Sequence, residues 1–427
     1  MGLRLDHFVI YSSFLWVIIF RMNVKWDKNI LLLISLFLAN VFWISAVSLR
    51  NLSWASPYPL CAALENFTQP LALIVIIYAA VSRLDRAGRQ NLLRVAGITV
   101  IAMLCINSLI SILTVFYDTW PFLKYFCLRG DVQEIDNTSQ LAATMGRYSG
   151  IFDAPAANGL ACSIGLLVWV YLATTCKRIS SLGWVSLILL IIGGSLSVSK
   201  TFIFGGFPLS VLYWFWTVLG QKRPRIRKST LFGGIIWVLA GVVVVSVLIK
   251  SWTGLDYFLR FYDREQINDQ GVIFLVTARR FGGDEQMIES AFAEVWDKSP
   301  VIGFGVPLRG APVLDNGYIE FFIYGGIVGL LFYIGMLAVI LRVAFRGLRT
   351  DPKLGMLLIA LWILIIGAGL GAPVLTLTRS AIFLWVILII AYGVLKSKYR
   401  LYPERHAGPL EKEFPERLAA SHEPAVT

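Results

Sequence analysis

Two stretches of this chain combine cations, carboxylates and glycines in an order that could do chemistry. The first is MGRYSGIFDAPAANGLACSIG, residues 145–165, where Arg147 and Asp153 stand among Gly146, Gly150, Pro155 and Gly159. Glycine and proline bend the backbone there and hold the charges just ahead of an apolar run. Asn158 is placed to cap the helix that follows. An arginine fork beside a helix N-terminus suits an anion such as a diphosphate, because guanidinium donors and free backbone N–H groups converge on it. An ordinary loop salt bridge between Arg147 and Asp153 would use the same two residues.

The second stretch runs from TARRFGGDEQ through MIESAFAEVWDK to SPVIGFGVP and DNGYIEFFIYGGIVG, residues 277–329. Arg279 and Arg280 precede Met287, Ile288, Ala291, Phe292 and Val295, whose spacing predicts an amphipathic helix lying on a membrane surface. The paired arginines are either phosphate ligands or cations snorkelling to head-group depth. Asp315 and Asn316 stand directly before the next apolar run, with Glu320 one turn inside it. A carboxylate at that boundary serves either as an N-cap or as a catalytic base. Three further charges adjoin apolar runs: Lys200 in SVSKTF, Arg379 in LTLTRSA and Glu65 in AALENFTQP. A charge well inside a bilayer costs roughly 2.5 to 3.5 kcal/mol on insertion scales, so each needs a partner or a function. Lys200 and Arg379 fall near external helix ends, where they either extend a positive pocket or snorkel. Glu65 is either half of a structural pair or part of the site.

The elements that must position these residues are membrane helices. Of the 427 residues 57% are hydrophobic and only 15% charged, and the mean hydropathy is +0.71. That excludes a soluble protein and predicts an all-α polytopic bundle. Apolar runs at 8–20, 30–48, 60–81, 92–116, 158–175, 181–198, 201–219, 231–250, 317–345, 355–372 and 376–395 make about eleven spans. The first ends in Arg21 without a small-residue cleavage site, and so reads as a helix and not as a removable signal. Basic connections after residues 20, 81, 175, 220 and 345 alternate correctly for one common face, assigned to the cytoplasm. The chain thus divides into N-terminal helices 1–116, a first external loop 117–157, central helices 158–250, a second external loop 251–316, C-terminal helices 317–395 and a tail 396–427 expected to be disordered. Aromatic residues in the external loops, among them Trp120, Trp252, Tyr257, Tyr262 and Trp296, form either a sugar-binding surface or an interfacial belt.

The net charge of +12 does not point to nucleic acid, because the cations fall in short clusters between apolar runs and meet anionic head groups. His7, His406 and His422 lie at the extreme N-terminus and in the tail. Cys61, Cys105, Cys162 and Cys176 lie in or beside apolar runs, and Cys127 alone falls in an external loop. No metal site, disulfide set or cofactor is therefore expected.

Three of these stretches resemble the O-antigen polymerase and ligase superfamily of bacterial inner-membrane proteins: GRYSGIFDAPAANGLA, SLSVSKTF, and SPVIGFGVP followed by DNGYIEFFIYGGIVGLLFY. The resemblance covers about residues 140–345. It implies a metal-independent glycosyltransferase working at the periplasmic face on undecaprenyl-diphosphate-linked oligosaccharides, with membrane lipids and a chain-length regulator protein as partners and no nucleic acid. The diphosphate-binding arginines of that family would map to Arg147 and Arg280, with Arg279 beside them. Asn158, Asn316, Lys200 and Arg379 would complete the substrate contacts, and Asp315 or Asp153 would act as proton acceptor. Ligases commonly place a histidine before the asparagine of the last stretch, whereas this chain has Asp315. That departure favours a polymerase over a ligase. A transporter or lipid-linked glycan flippase is the reading from a different class.

Overall fold

The structure, a computed structural model, describes residues 5–20, 24–50, 57–127, 138–176, 179–219, 237, 287–306, 316–376 and 378–399. Among them there is no strand. In chain order the helices are α1 (Leu5–Ile19), α2 (Lys28–Arg50), α3 (Pro57–Arg83), α4 (Arg86–Phe116), α5 (Trp120–Cys127), α6 (Thr138–Thr144), α7 (Pro155–Thr175), α8 (Ser181–Leu196), α9 (Phe207–Leu219), α10 (Met287–Lys298), α11 (Gly317–Thr350), α12 (Pro352–Gly369) and α13 (Thr378–Tyr399). A π-helical turn, Thr201–Gly206, leads directly into α9. Local chemistry sets several starts. Asp85 caps α4 through the Gly88 amide at 2.8 Å, and Asp351 caps α12 through Leu354 at 3.2 Å with Pro352 behind it.

The chain is a membrane-embedded helical bundle. Among the described residues eight helical segments are long and apolar enough to cross a bilayer: those in α2, α3, α4, α7, the π turn with α9, α11, α12 and α13. The expected count of about eleven is not reached among the described residues, which leave out most of one expected span. Phe8–Ile19 and Ser181–Leu196 are apolar but shorter, and Ser181–Leu196, at 16 residues, rises about 24 Å against a core of about 30 Å. The run 231–250 lies outside the described residues except for Trp237, which is buried. The long connections 117–157 and 251–316 carry helices of their own, α5 and α6 in the first and α10 in the second.

α7 is the central helix, buried from Pro155 to Tyr171 with hardly a break and packed on α4, α8, α9, α12 and α13. It is apolar on every side, as a helix without an exposed face must be. Small residues let its neighbours close in: a Cβ on Gly165 would meet Leu104 at 2.7 Å, and one on Gly206 would meet Ser163 at 2.0 Å.

Helix ends that adjoin several of the basic connections meet at one end of this bundle. Asp27, just ahead of α2, accepts a hydrogen bond from Tyr392 and an ion pair from Lys396 at 3.6 Å, and Lys396 also donates to the Tyr78 hydroxyl at 2.6 Å. Arg89 near the start of α4 donates to the carbonyl of Gly393 at 3.0 Å. Lys353 at the start of α12 donates to the Thr174 carbonyl at the end of α7. The segments 145–154, 197–200, 299–306 and 370–376 are thereby left together at the opposite end.

α11 is not one straight helix. At Gly326 the backbone takes φ 63° and ψ −155°, a conformation open to glycine but not to L side chains. Residues 317–325 then lie back against residues 327–350. A Cβ on Gly317 would sit 3.3 Å from the Tyr333 hydroxyl, the rings of Tyr318 and Phe321 lie 5.1 and 4.6 Å from that of Tyr333, and a Cβ on Gly329 would meet the Phe321 carbonyl at 2.5 Å. Along a straight helix Gly317 and Tyr333 would stand about 24 Å apart. The stretch expected as a single span at 317–345 is thus a hairpin whose second arm alone is long enough to cross. The break is closed by the segment before it: Phe304 and Gly305 donate to the carbonyls of Ile323 and Tyr324, and Ile327 donates to that of Pro300, at 2.8 to 3.0 Å. Gly303 and Gly305, at φ 80° and 76°, permit the approach.

Candidate functional site

The 145–154 segment is a bend between α6 and α7, and both glycines in it have positive φ, Gly146 at 72° and Gly150 at 60°. Tyr148 donates through its amide to the Leu196 carbonyl at 2.9 Å, which ties the bend to the end of α8. At Ile151 the amide donates to Asn107 Oδ1 of α4 at 2.8 Å, and the carbonyl accepts from the Arg379 guanidinium of α13. Phe152 is buried with its ring edge-on to Phe383 at 6.3 Å. Arg147 and Asp153 flank this anchored stretch, and both are partly buried.

Asn158 does not cap α7. The helix starts earlier, with Ala154 at the cap position and Pro155 at the first turn, so Asn158 lies one turn inside and is fully buried. Its Oδ1 accepts from Asn107 Nδ2 at 2.9 Å and from Cys162 Sγ at 3.3 Å. Its Nδ2 donates to the carbonyls of Tyr148 and Gly193 at 3.1 and 3.3 Å. Four bonds to protein atoms use the side chain fully. Asn158 therefore holds the bend and does not face a ligand.

Lys200 directly precedes the π turn. Just before it Val198 has φ 45°, which a β-branched residue adopts only under strain, and strain of this kind collects at functional sites. The neighbouring Ser199 is packed on the start of α7, since a Cβ on Gly159 would meet its Cβ at 2.3 Å. The segments bearing Arg147, Asp153, Lys200 and Arg379 thus all meet around the first turn of α7.

Asn316 is the N-cap of α11: its Oδ1 accepts from the amides of Tyr318 and Ile319 at 3.0 and 3.1 Å, and its Nδ2 donates to the Leu370 carbonyl at 3.0 Å. It is 2% exposed. The capping alternative for Asp315 is thereby removed, because the next residue does the capping. Asp315, Arg279 and Arg280 lie outside the described residues. Glu320 is buried close to the Thr376 hydroxyl, which donates to the Pro373 carbonyl at 3.1 Å. The connection between α12 and α13 therefore touches both stretches, at Asn316 and Glu320 through Leu370 and Thr376, and at Ile151 through Arg379. Glu65 lies on α3, within electrostatic reach of Tyr11 on α1.

α10 forms where its pattern predicts, but its apolar side does not simply lie on a membrane. Val295 is buried against Ile319, Phe322 and Ile323 of the first arm of α11, and Phe292 and Trp296 stack beside Phe322 at 4.9 and 6.2 Å. Phe292 and Trp296 still expose part of their rings.

The two helix starts differ in what they offer an anion. In α11 the Asn316 side chain takes the first free amides, whereas the cap residue of α7, Ala154, has no side-chain acceptor to offer. A helix start without an acceptor on its cap residue suits an anion, and the segments that bear Arg147, Lys200 and Arg379 meet beside it. Reasoning from sequence passed over Asn107 and Thr376. A lone asparagine inside the apolar run of α4 was the available signal for the first; Thr376 in a turn carries none. Among the described residues no group of His, Cys, Asp and Glu could hold a metal ion. No model of a known protein family matches the chain, and no curated protein matches it.

Proposed function

We propose that this chain joins undecaprenyl-diphosphate-linked oligosaccharide repeat units into O-antigen or a related surface polysaccharide, as a glycosyltransferase at the periplasmic face of the bacterial inner membrane. One observation carries the reading. The segments that bear Arg147, Lys200 and Arg379 come from three separate parts of the chain to the start of α7. Cations around a helix start without a side-chain cap suit a diphosphate.

In this reading the diphosphate of the growing chain is held by Arg147, with Arg280 joining it. A sugar hydroxyl of the incoming repeat unit attacks the anomeric carbon, the C–O bond to the diphosphate breaks, and the lipid diphosphate leaves with the electron pair. The cations stabilise the charge that develops on it. Asp153 or Asp315 takes the hydroxyl proton. Chain-length analysis of surface polysaccharide in a deletion strain tests the proposal. Loss of a polymerase leaves single repeat units on their acceptor; loss of a ligase leaves polymer on its lipid carrier, and that result would transfer the assignment to the ligase.

The folded-back α11 favours a second reading, since hairpins and broken helices inside the membrane recur in transporters. A flippase would leave lipid-linked single units on the cytoplasmic side of the deletion strain, where an externally added glycosidase cannot reach them.

A further inference from the structure

We infer that Asn107 is a positioning residue for this site, acting through Asn158 and Ile151 to fix the bend that presents Arg147. Its catalytic consequence rests on the glycosyl-transfer reading; its existence rests on geometry alone.

Asn107 lies in the outer half of α4 and is 1% exposed. An amide buried in a membrane helix is expensive unless every polar atom is bonded. Here Oδ1 accepts from the Ile151 amide at 2.8 Å and Nδ2 donates to Asn158 Oδ1 at 2.9 Å. Asn158 passes the link on to the Tyr148 carbonyl at 3.1 Å and the Gly193 carbonyl at 3.3 Å. From the other side, Arg379 donates to the Ile151 carbonyl. The peptide groups of the bend between Arg147 and Asp153 are therefore held by side chains of α4, α7 and α13. The closeness is made possible by Gly150, where a Cβ would fall 2.3 Å from Asn107 Oδ1.

These bonds land on backbone between the two charges. A contact that only stabilised the bundle could join α4 to α7 anywhere along their length. This pair instead ends on the one connection that carries Arg147. Arg379 falls under the same description, since one of its guanidinium nitrogens is committed to the bend.

The test uses the full chain in lipid nanodiscs, with a lipid-diphosphate-linked repeat unit as substrate. Amide hydrogen exchange is followed at residues 146–153 and, as an internal control, at residues 352–369. Asn107→Ala is expected to raise exchange in the bend at least tenfold and leave α12 unchanged. It is also expected to lower kcat/KM at least tenfold. In the Asn107→Ala, Arg147→Ala double variant the loss should be clearly smaller than the product of the two single losses, because Asn107 acts through Arg147. Unchanged exchange in the bend, or losses that multiply, would overturn the inference. Should Asn107→Ala fail to insert, Asn107→Leu replaces it: the side chain keeps its size and suits an apolar helix but can neither accept from Ile151 nor donate to Asn158, and the same two outcomes apply. If the unaltered protein transfers no glycan, the glycosyl-transfer reading fails, and exchange in the bend still decides whether Asn107 holds it.

Discussion

Arg147 stands in a bend with two left-handed glycines that leads into a helix whose cap residue, Ala154, has no side-chain acceptor. Replacing it by alanine should therefore lower polymer formation at least 100-fold while the protein still inserts, and lysine should rescue poorly because it lacks the planar fork. Polymer length and amount in cells with matched membrane levels check this. Asp315→Asn is the sharper test of the proton acceptor now that Asn316 supplies the cap. No helix start is lost with Asp315, so a fall in turnover of about 100-fold with normal insertion would mark a general base, and near-normal turnover would pass the role to Asp153. That Arg147 would stand on a sharp bend was legible from Gly146 and Gly150, both of which take positive φ. Asn158 was misplaced because the helix begins at Pro155, a residue favoured at the first helical position. Starting the run at the first strongly apolar stretch moved the cap by a turn.

At the level of elements, hydropathy located the helices well because an apolar run long enough to cross a bilayer has few alternatives. The runs at 30–48 and 92–116 fall within α2 and α4. It could not show that α11 doubles back, since the cause is the sign of one backbone angle at Gly326, and hydropathy carries no information on φ. Nor could it show that Val295 of α10 would be buried against the first arm of α11. Gly326→Ala is expected to destabilise the protein by about 1 to 3 kcal/mol through backbone strain alone. A Cβ there would also lie 2.4 Å from the carbonyl of Val301. Thermal unfolding in detergent should show the loss. Gly367→Ala, where a Cβ meets nothing within 4 Å, should leave the midpoint unchanged or slightly raised.

For the whole molecule, the meeting at one end of the described helix ends that adjoin basic connections makes sidedness testable. Cys127 and a cysteine introduced at Gln270 should react with a membrane-impermeant thiol reagent added from the periplasm, whereas the exposed Cys176 should not. Labelling of Cys176 first would reverse the orientation. The same end carries a pH dependence. Burial alone would raise the carboxyl of Asp27, but hydrogen bonds from Tyr392 and the Asn29 amide, with Lys396 nearby, outweigh it and hold the group below the usual aspartate range. A depressed carboxylate contributes stability that is present above its unfolded value, about 3.9, and lost as pH falls through its folded one. Asp27→Asn should therefore unfold at a lower temperature than the unaltered protein at pH 6, and the gap should close as the pH is taken down toward 3.

The closure of the α11 break has a consequence for biogenesis. Trp43 donates to the Gly325 carbonyl and Ser48 accepts from the Val306 amide, pairs separated by 282 and 258 residues of chain. At about 5 to 20 residues per second of synthesis, α2 has to wait on the order of tens of seconds in the bilayer before the segments that cover these polar groups emerge from the ribosome. Through that interval the nascent chain carries an indole N–H and the buried Asn40 amide toward lipid or toward whatever insertion factor shields them, while the Ser48 hydroxyl donates to Ile44 within α2. A ribosome stalled before Gly325 would strand α2 in that state, as a target for membrane proteases.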